Sequence, residues 1–242
     1  MERTPEKVQQ DKFRGLFGEE WYNELKELLE SDYWLRLGNK IAQDRLVYEI
    51  YPEKHSDLLF KAFRTTPLSK VKVVILGQDP YHDGSYDGYA FSNGRKQMNK
   101  VSPSLVNIFK EIEDDLYDGL KLDQDPNLER WAKQGVLLIN TSHTVPKGNP
   151  GWYLGDWEPF TYKIVSILTK QDRPIVWMLW GRKAKDIVLS VPVINLKHER
   201  LFAAHPSPFS AHTGFFGCKH FSKCNKYLED NGNNNIQWCP KL

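Results

Sequence analysis

Four stretches of this chain are apolar without interruption, and each stops at a polar residue able to carry chemistry. Val73-Val74-Ile75-Leu76 runs into Gly77-Gln78-Asp79-Pro80-Tyr81-His82, and Val136-Leu137-Leu138-Ile139 stops at Asn140. Ile175-Val176-Trp177-Met178-Leu179-Trp180 stops at Gly181-Arg182, and Leu201-Phe202-Ala203-Ala204 stops at His205-Pro206-Ser207-Pro208. Continuous Val- and Ile-rich runs suit strands buried on both faces of a parallel sheet. Ligands of open α/β sheets bind in the crevice beyond the carboxyl ends of the strands, so these polar residues are expected to meet in one pocket.

Between the strands the spacing turns helical. Residues 16–37, with Leu16, Trp21, Leu25, Leu28, Leu29, Tyr33 and Leu37, repeat at helical intervals, and so do residues 57–63 ahead of Thr66-Pro67. Further helices are predicted from Ser102-Pro103-Ser104 to about Leu116, over 127–134, 157–168 and 183–189, and over 221–231 before the turn at Gly232. Residues 147–155, rich in Gly and Pro, read as a surface loop. With no internal repeat and no separating linker, the pattern predicts one α/β domain over residues 1–242. Its core is a central four-stranded, mostly parallel sheet flanked by helices.

Composition narrows the class further. A chain of 242 residues buries enough surface to need no disulfide or metal for its core. Its three cysteines are Cys218, Cys224 and Cys239, an odd set that suggests a reducing compartment. The polar N-terminus does not resemble a secretory signal, and no window suits a membrane span, so a cytoplasmic protein is expected, or a nuclear one in a eukaryote or its virus. A net charge of +2 is far from a domain that binds nucleic acid by charge alone, although a local basic face is compatible with it.

The densest functional group is Gly77-Gln78-Asp79-Pro80-Tyr81-His82. Asp79 could activate water or face developing positive charge, Tyr81 offers a flat wall and His82 a titratable neighbour. Taken singly, each has a plainer reading: Asp-Pro is common where strands end, His205 precedes a proline as turn histidines do, Asn140 suits a turn, and Phe91 near Tyr89 suits a core.

As a whole, however, the hexapeptide resembles the water-activating loop of family-1 uracil-DNA glycosylases. The segments ending at Asn140 and at Leu179-Trp180-Gly181, then His205-Pro206-Ser207-Pro208 and Gly214 to Ser222, match that family in order, so the resemblance covers about residues 51–238. It implies a monofunctional DNA repair enzyme that flips uracil out of DNA and hydrolyses its N-glycosidic bond. By resemblance, Asp79 positions the attacking water and stabilises a cationic sugar, while His205 donates a hydrogen bond to uracil O2 as neutral imidazole. Asn140 would read N3–H and O4, Phe91 stack on the base, Tyr81 exclude the thymine methyl, and Gln78 add mainly backbone contacts. DNA phosphates would be gripped by the loops carrying Ser104, Gly181 and Ser207.

This chain departs from the family pattern in several places. Only Pro103 remains of a proline-rich loop, preceded by Lys100 and Val101; Arg182 is cationic where the family is not and could add a phosphate contact; and Phe209 stands where a leucine usually wedges into the stack. Residues 83–90 form a segment one residue shorter than expected, with an unusual Tyr86-Asp87, and residues 147–155 lack the usual pattern.

The partner implied is uracil-containing DNA, single- or double-stranded. A monomer is expected, with no cofactor and no metal, and any replication or inhibitor protein partner is not visible in the sequence. Cys218, His220, Cys224 and Cys239 lack a Cys-x2-Cys pair and fit a core helix better than a zinc site. Two alternatives stand beside the enzyme: a non-catalytic DNA-binding subunit of the same fold, which the presence of Asp79, Asn140 and His205 disfavours, and a small-molecule hydrolase, for which there is no Gly-x-Ser-x-Gly elbow.

Overall fold

The computed structural model describes residues 4–94, 101–192 and 196–239. Lys100, noted above ahead of the single proline, lies outside them. The chain opens with three helices, α1 (Pro5–Phe17), α2 (Glu19–Leu29) and α3 (Asp32–Asp44). The single helical register read over 16–37 is thus broken twice. Gly18, at φ 79°, ends α1 by donating its N–H to Arg14 O at 2.8 Å. Ser31 starts α3 by accepting the Trp34 N–H at 3.4 Å. α1 escaped the sequence reading because only Phe13 and Phe17 of its residues are buried, too few to show a period.

The central sheet holds β2 (Val73–Gly77), β3 (Val136–Asn140), β5 (Val176–Trp180) and β6 (Glu199–Ala203) in the order β3-β2-β5-β6. All three pairings are parallel, so the carboxyl ends of the four strands share one edge. Every residue of β2, β3 and β5 is buried, as their unbroken apolar runs require. β6 differs from expectation. It is one of the two edge strands, and unlike β3 at the other edge it is only partly covered, with Leu201 buried but Phe202 45 % exposed beneath the Lys185 ammonium.

Between the strands run α4 (Lys61–Thr65), α5 (Pro103–Leu116), α6 (Glu129–Ala132), α7 (Leu154–Thr169) and α8 (Arg182–Ser190), and α9 (His220–Asp230) follows β6. They flank the sheet: α8 and α9 pack on β5, α4 and α6 on β3, and α5 on α9.

One small element was not expected. β1 (Ile50–Tyr51) pairs antiparallel with β4 (Val145–Pro146), Ile50 opposite Pro146. Two-residue strands carry no alternation to read, yet this pair anchors the start of the 147–153 loop, where Lys147 N donates to Glu49 O at 2.8 Å. Among the described residues no helix is long and apolar enough to cross a membrane.

Candidate active site

The strand register brings the singled-out residues together. Gly77, last in β2, lies opposite Asn140, last in β3, and Trp180, last in β5, lies opposite Ala203 of β6. The loops leaving these ends enclose a pocket of about 160 Å3, lined by residues 77–82 together with Phe91, Ser104, Asn140, Pro150 and His205. A second cleft of about 250 Å3 lies beside it, sharing Gly77, Gln78 and His205 and bounded by Gly181, Arg182 and Lys183. The first is the more chemically endowed, since the carboxylate, imidazole and carboxamide all line it.

Asp79 is held from one side only. Its Oδ2 accepts the Gly151 N–H at 3.0 Å and a Gln78 Nε2–H at 2.5 Å. Its Oδ1 is buried and has no protein partner among the described residues. Burial pushes the carboxyl above its ordinary range, opposed by those two donors and by the charges of Lys183 and His82. A carboxylate so placed has one oxygen fixed and the other free to take a proton or orient a water. The 147–155 segment, read as a surface loop, therefore forms one wall of the site: Gly151 grips Asp79, Pro150 lines the pocket, and Gly148 N donates to His82 Nδ1 at 3.2 Å.

His205 is oriented by the turn that follows it. Its Nδ1 accepts the Ser207 N–H at 3.0 Å, which assigns the proton of the neutral ring to Nε2. Burial lowers its pKa from the ordinary value, so the ring is neutral at pH 7. Ser210 Oγ donates to His205 O at 2.9 Å, and Asn107 Nδ2 of α5 donates to Pro206 O at 2.8 Å, tying the turn to the body of the protein. Gly181, at φ 88°, lets the two strand ends close: a Cβ there would stand 3.1 Å from His205 Cβ.

The carboxamide and the aromatic walls complete the pocket. Asn140 is buried, its Nδ2 has no partner among the described residues, and its amide lies across Gly77, where a Cβ would come within 2.2 Å of Oδ1. Phe91 takes a left-handed backbone conformation, φ 64°, and its ring lies 5.5 Å from Trp180 and 5.7 Å from His205. Tyr81 is locked by its hydroxyl, which donates to Phe91 O at 3.2 Å and pairs with Ser102 Oγ at the start of α5. Burial pushes the Tyr81 phenol up to about 12.

The residues assigned to a DNA grip sit on the rim. Ser104 occupies the first turn of α5 and lines the pocket, and Arg182 is exposed as the first residue of α8. Ser207 Oγ accepts the Phe209 N–H at 3.3 Å, and the Phe209 side chain stands 92 % exposed.

Two features escaped the sequence reading. Gly151 contributes only a backbone N–H, for which no side-chain pattern exists. Lys183 was assigned to a helix, and its Nζ donates to Gln78 Oε1 at 2.7 Å. The cysteine-histidine group does not converge. His220 Nδ1 accepts the Trp180 Nε1–H at 3.0 Å, burial lowers its pKa to about 4, and the described residues hold no cluster of three candidate metal ligands.

Comparison with known proteins places the chain in a family. Residues 63–229 match the uracil DNA glycosylase superfamily. The chain is 43 % identical to the uracil-DNA glycosylase of Agathobacter rectalis, covering 90 % of this chain and 95 % of that one. It is 41 % identical to that of Bacillus subtilis, covering 94 % and 99 %. Among solved structures, mimivirus uracil-DNA glycosylase superposes with a TM-score of 0.82 at 27 % identity, covering 93 % of this chain and 87 % of that chain. The family match, the relatives and the fold agree, and the chain belongs to the uracil-DNA glycosylase superfamily.

Proposed function

We infer that the chain excises uracil from DNA in base-excision repair, hydrolysing the N-glycosidic bond of an extruded deoxyuridine to give free uracil and an abasic site. The observation that carries this reading is the meeting of Asp79, Asn140 and His205, far apart in sequence, around one pocket. Extrusion is required because the glycosidic bond is inaccessible within the stack.

In the proposed reaction Asp79 Oδ1 orients a water toward C1′ and takes its proton, while the carboxylate faces the positive charge gathering on the sugar. The water oxygen bonds to C1′ as the bond to uracil N1 breaks, and the electron pair of that bond passes into the base. His205 Nε2–H donates to O2, where that charge collects. Burial keeps the ring uncharged, and the Ser207 N–H on Nδ1 keeps its proton on Nε2, where it can donate. The Asn140 amide offers its oxygen to N3–H and its NH2 to O4, a pattern that cytosine reverses. Phe91 stacks on the base, an interaction worth roughly 1–3 kcal/mol. Tyr81 stands against C5, where thymine carries its methyl. Ser104, Gly181, Arg182 and Ser207 hold phosphates, which position the strand without reading sequence, and Phe209 enters the gap left by the base. The protein acts as a single copy, and a mimivirus UNG variant crystallised with UGI suggests testing that inhibitor here.

The test is incubation with a single-uracil oligonucleotide in EDTA, followed by alkali. Strand breakage at the uracil is the expected result. Binding without breakage would identify a non-catalytic DNA-binding protein instead.

A further inference from the structure

We propose that Lys183, through Gln78, is a positioning residue for Asp79. The proposal rests on the glycosylase reading above and deepens it. Lys183 Nζ donates to Gln78 Oε1 at 2.7 Å, and Gln78 Nε2 donates to Asp79 Oδ2 at 2.5 Å. An amide side chain can sit either way round; a cation at its oxygen end fixes it with the NH2 turned to the carboxylate. The Gly151 N–H takes the same Oδ2 at 3.0 Å, and a Cβ on Gly151 would lie 3.7 Å from Gln78 Nε2 and 3.9 Å from Lys183 Nζ. Three parts of the chain thus converge on this carboxylate: the loop after β2 and the 147–153 loop each donate to Oδ2, and α8 braces Gln78 behind it. Oδ2 is saturated, and Oδ1 alone remains to address a water.

The charge of Lys183 acts along the same line. It holds the Asp79 carboxyl down against the upward push of burial. The other charged or titratable groups around Asp79 are Tyr81 and His82 on its own loop and His205 across the pocket; the 147–153 loop presents the uncharged Gly151 amide, and β3 presents Asn140. Loss of Lys183 should therefore raise the Asp79 pKa and move the acid limb of activity to higher pH.

The experiment measures single-turnover excision of uracil at saturating enzyme from pH 5 to 9 for wild type, Lys183→Met, Lys183→Arg, Gln78→Leu and Lys183→Met/Gln78→Leu. Lys183→Met should lower the saturating rate about 5- to 20-fold at pH 7 and shift the acid limb upward. Lys183→Arg should restore most of both; on the plateau above the acid limb the double variant should lose little more rate than Gln78→Leu, since the two position Asp79 in series, while its acid limb carries the added shift from the lost charge. A wild-type saturating rate and acid limb in Lys183→Met, with only weakened DNA affinity, would make Lys183 a phosphate contact and overturn the proposal. NMR titration of the Asp79 carboxyl without DNA separates the two readings. An upward shift in Lys183→Met supports the relay even if the wild type proved inert on uracil, and an unchanged titration refutes it.

Discussion

At the scale of single residues, the site is built from groups whose surroundings leave one function open to each. Asp79→Asn should lower turnover by about 10²–10⁴-fold while DNA affinity is retained, because the amide keeps the shape and loses the base. His205→Leu should cost a factor of about 10²–10³, the scale of one lost donor to a developing anion. Single-turnover rates beside gel-shift affinities check both. Gly77 makes a sharper case. A Cβ there meets Asn140 Oδ1 at 2.2 Å and Ala90 Cβ at 3.1 Å, so Gly77→Ala should displace the carboxamide and slow excision at least tenfold in a fold that remains intact. Rates on uracil with parallel circular dichroism would settle it, and a wild-type rate would show that Asn140 is not held against that backbone. Tyr81→Ala should admit thymine, read as excision from a single-thymine oligonucleotide.

At the scale of elements, the loops around the pocket are held at their bases by hydrogen bonds to neighbouring elements. The 205–210 turn is tied by Asn107 of α5 while Phe209 stands clear of the surface. Phe209→Ala should therefore leave the thermal midpoint unchanged and slow excision from duplex more than from single-stranded DNA, where no stack need be opened. Arg182 is exposed at the start of α8, where its charge adds to the helix dipole. Arg182→Ser should reduce the slope of log affinity against log salt by about 1, the signature of one phosphate contact; an unchanged slope would remove it from the interface. The strand-end residues at this scale were legible in sequence, because buried parallel strands write their length as unbroken apolar runs. The wall made by the 147–153 loop was not, because Gly151 acts through a backbone amide that any residue carries. Lys183 was hidden for another reason: an exposed lysine on a helix has no pattern that announces its partner.

At the scale of the whole molecule, the buried histidines couple folding to pH. His143 sits among Phe60, Phe63, Trp157 and Phe160, with ring centroids 5.0–5.8 Å away. Burial lowers its pKa to about 3, and that of His220 to about 4. A folded pKa depressed below the unfolded one means the unfolded chain binds the proton first. Full stability is present above about pH 6.5 and declines as pH falls toward 3 to 4, by an amount on the order of a few kcal/mol for His143. The thermal midpoint should drop steeply across that window, and His143→Phe should flatten the drop; an equal slope in both proteins would refute the assignment.

The sequence by itself determined the four strands, three of them buried throughout, most of the helices that flank them, and the polar residue types at the strand ends. Such information is local: an apolar run, a period, a hexapeptide. It also carried the family, through matched segments in a fixed order. Only the tertiary structure decided that β6 lies at the edge, that the first helical stretch is three helices, and that a glycine amide and a distant lysine close on Asp79. Those outcomes depend on which surfaces meet, and contacts between residues some seventy to a hundred positions apart leave no trace in the spacing of either partner.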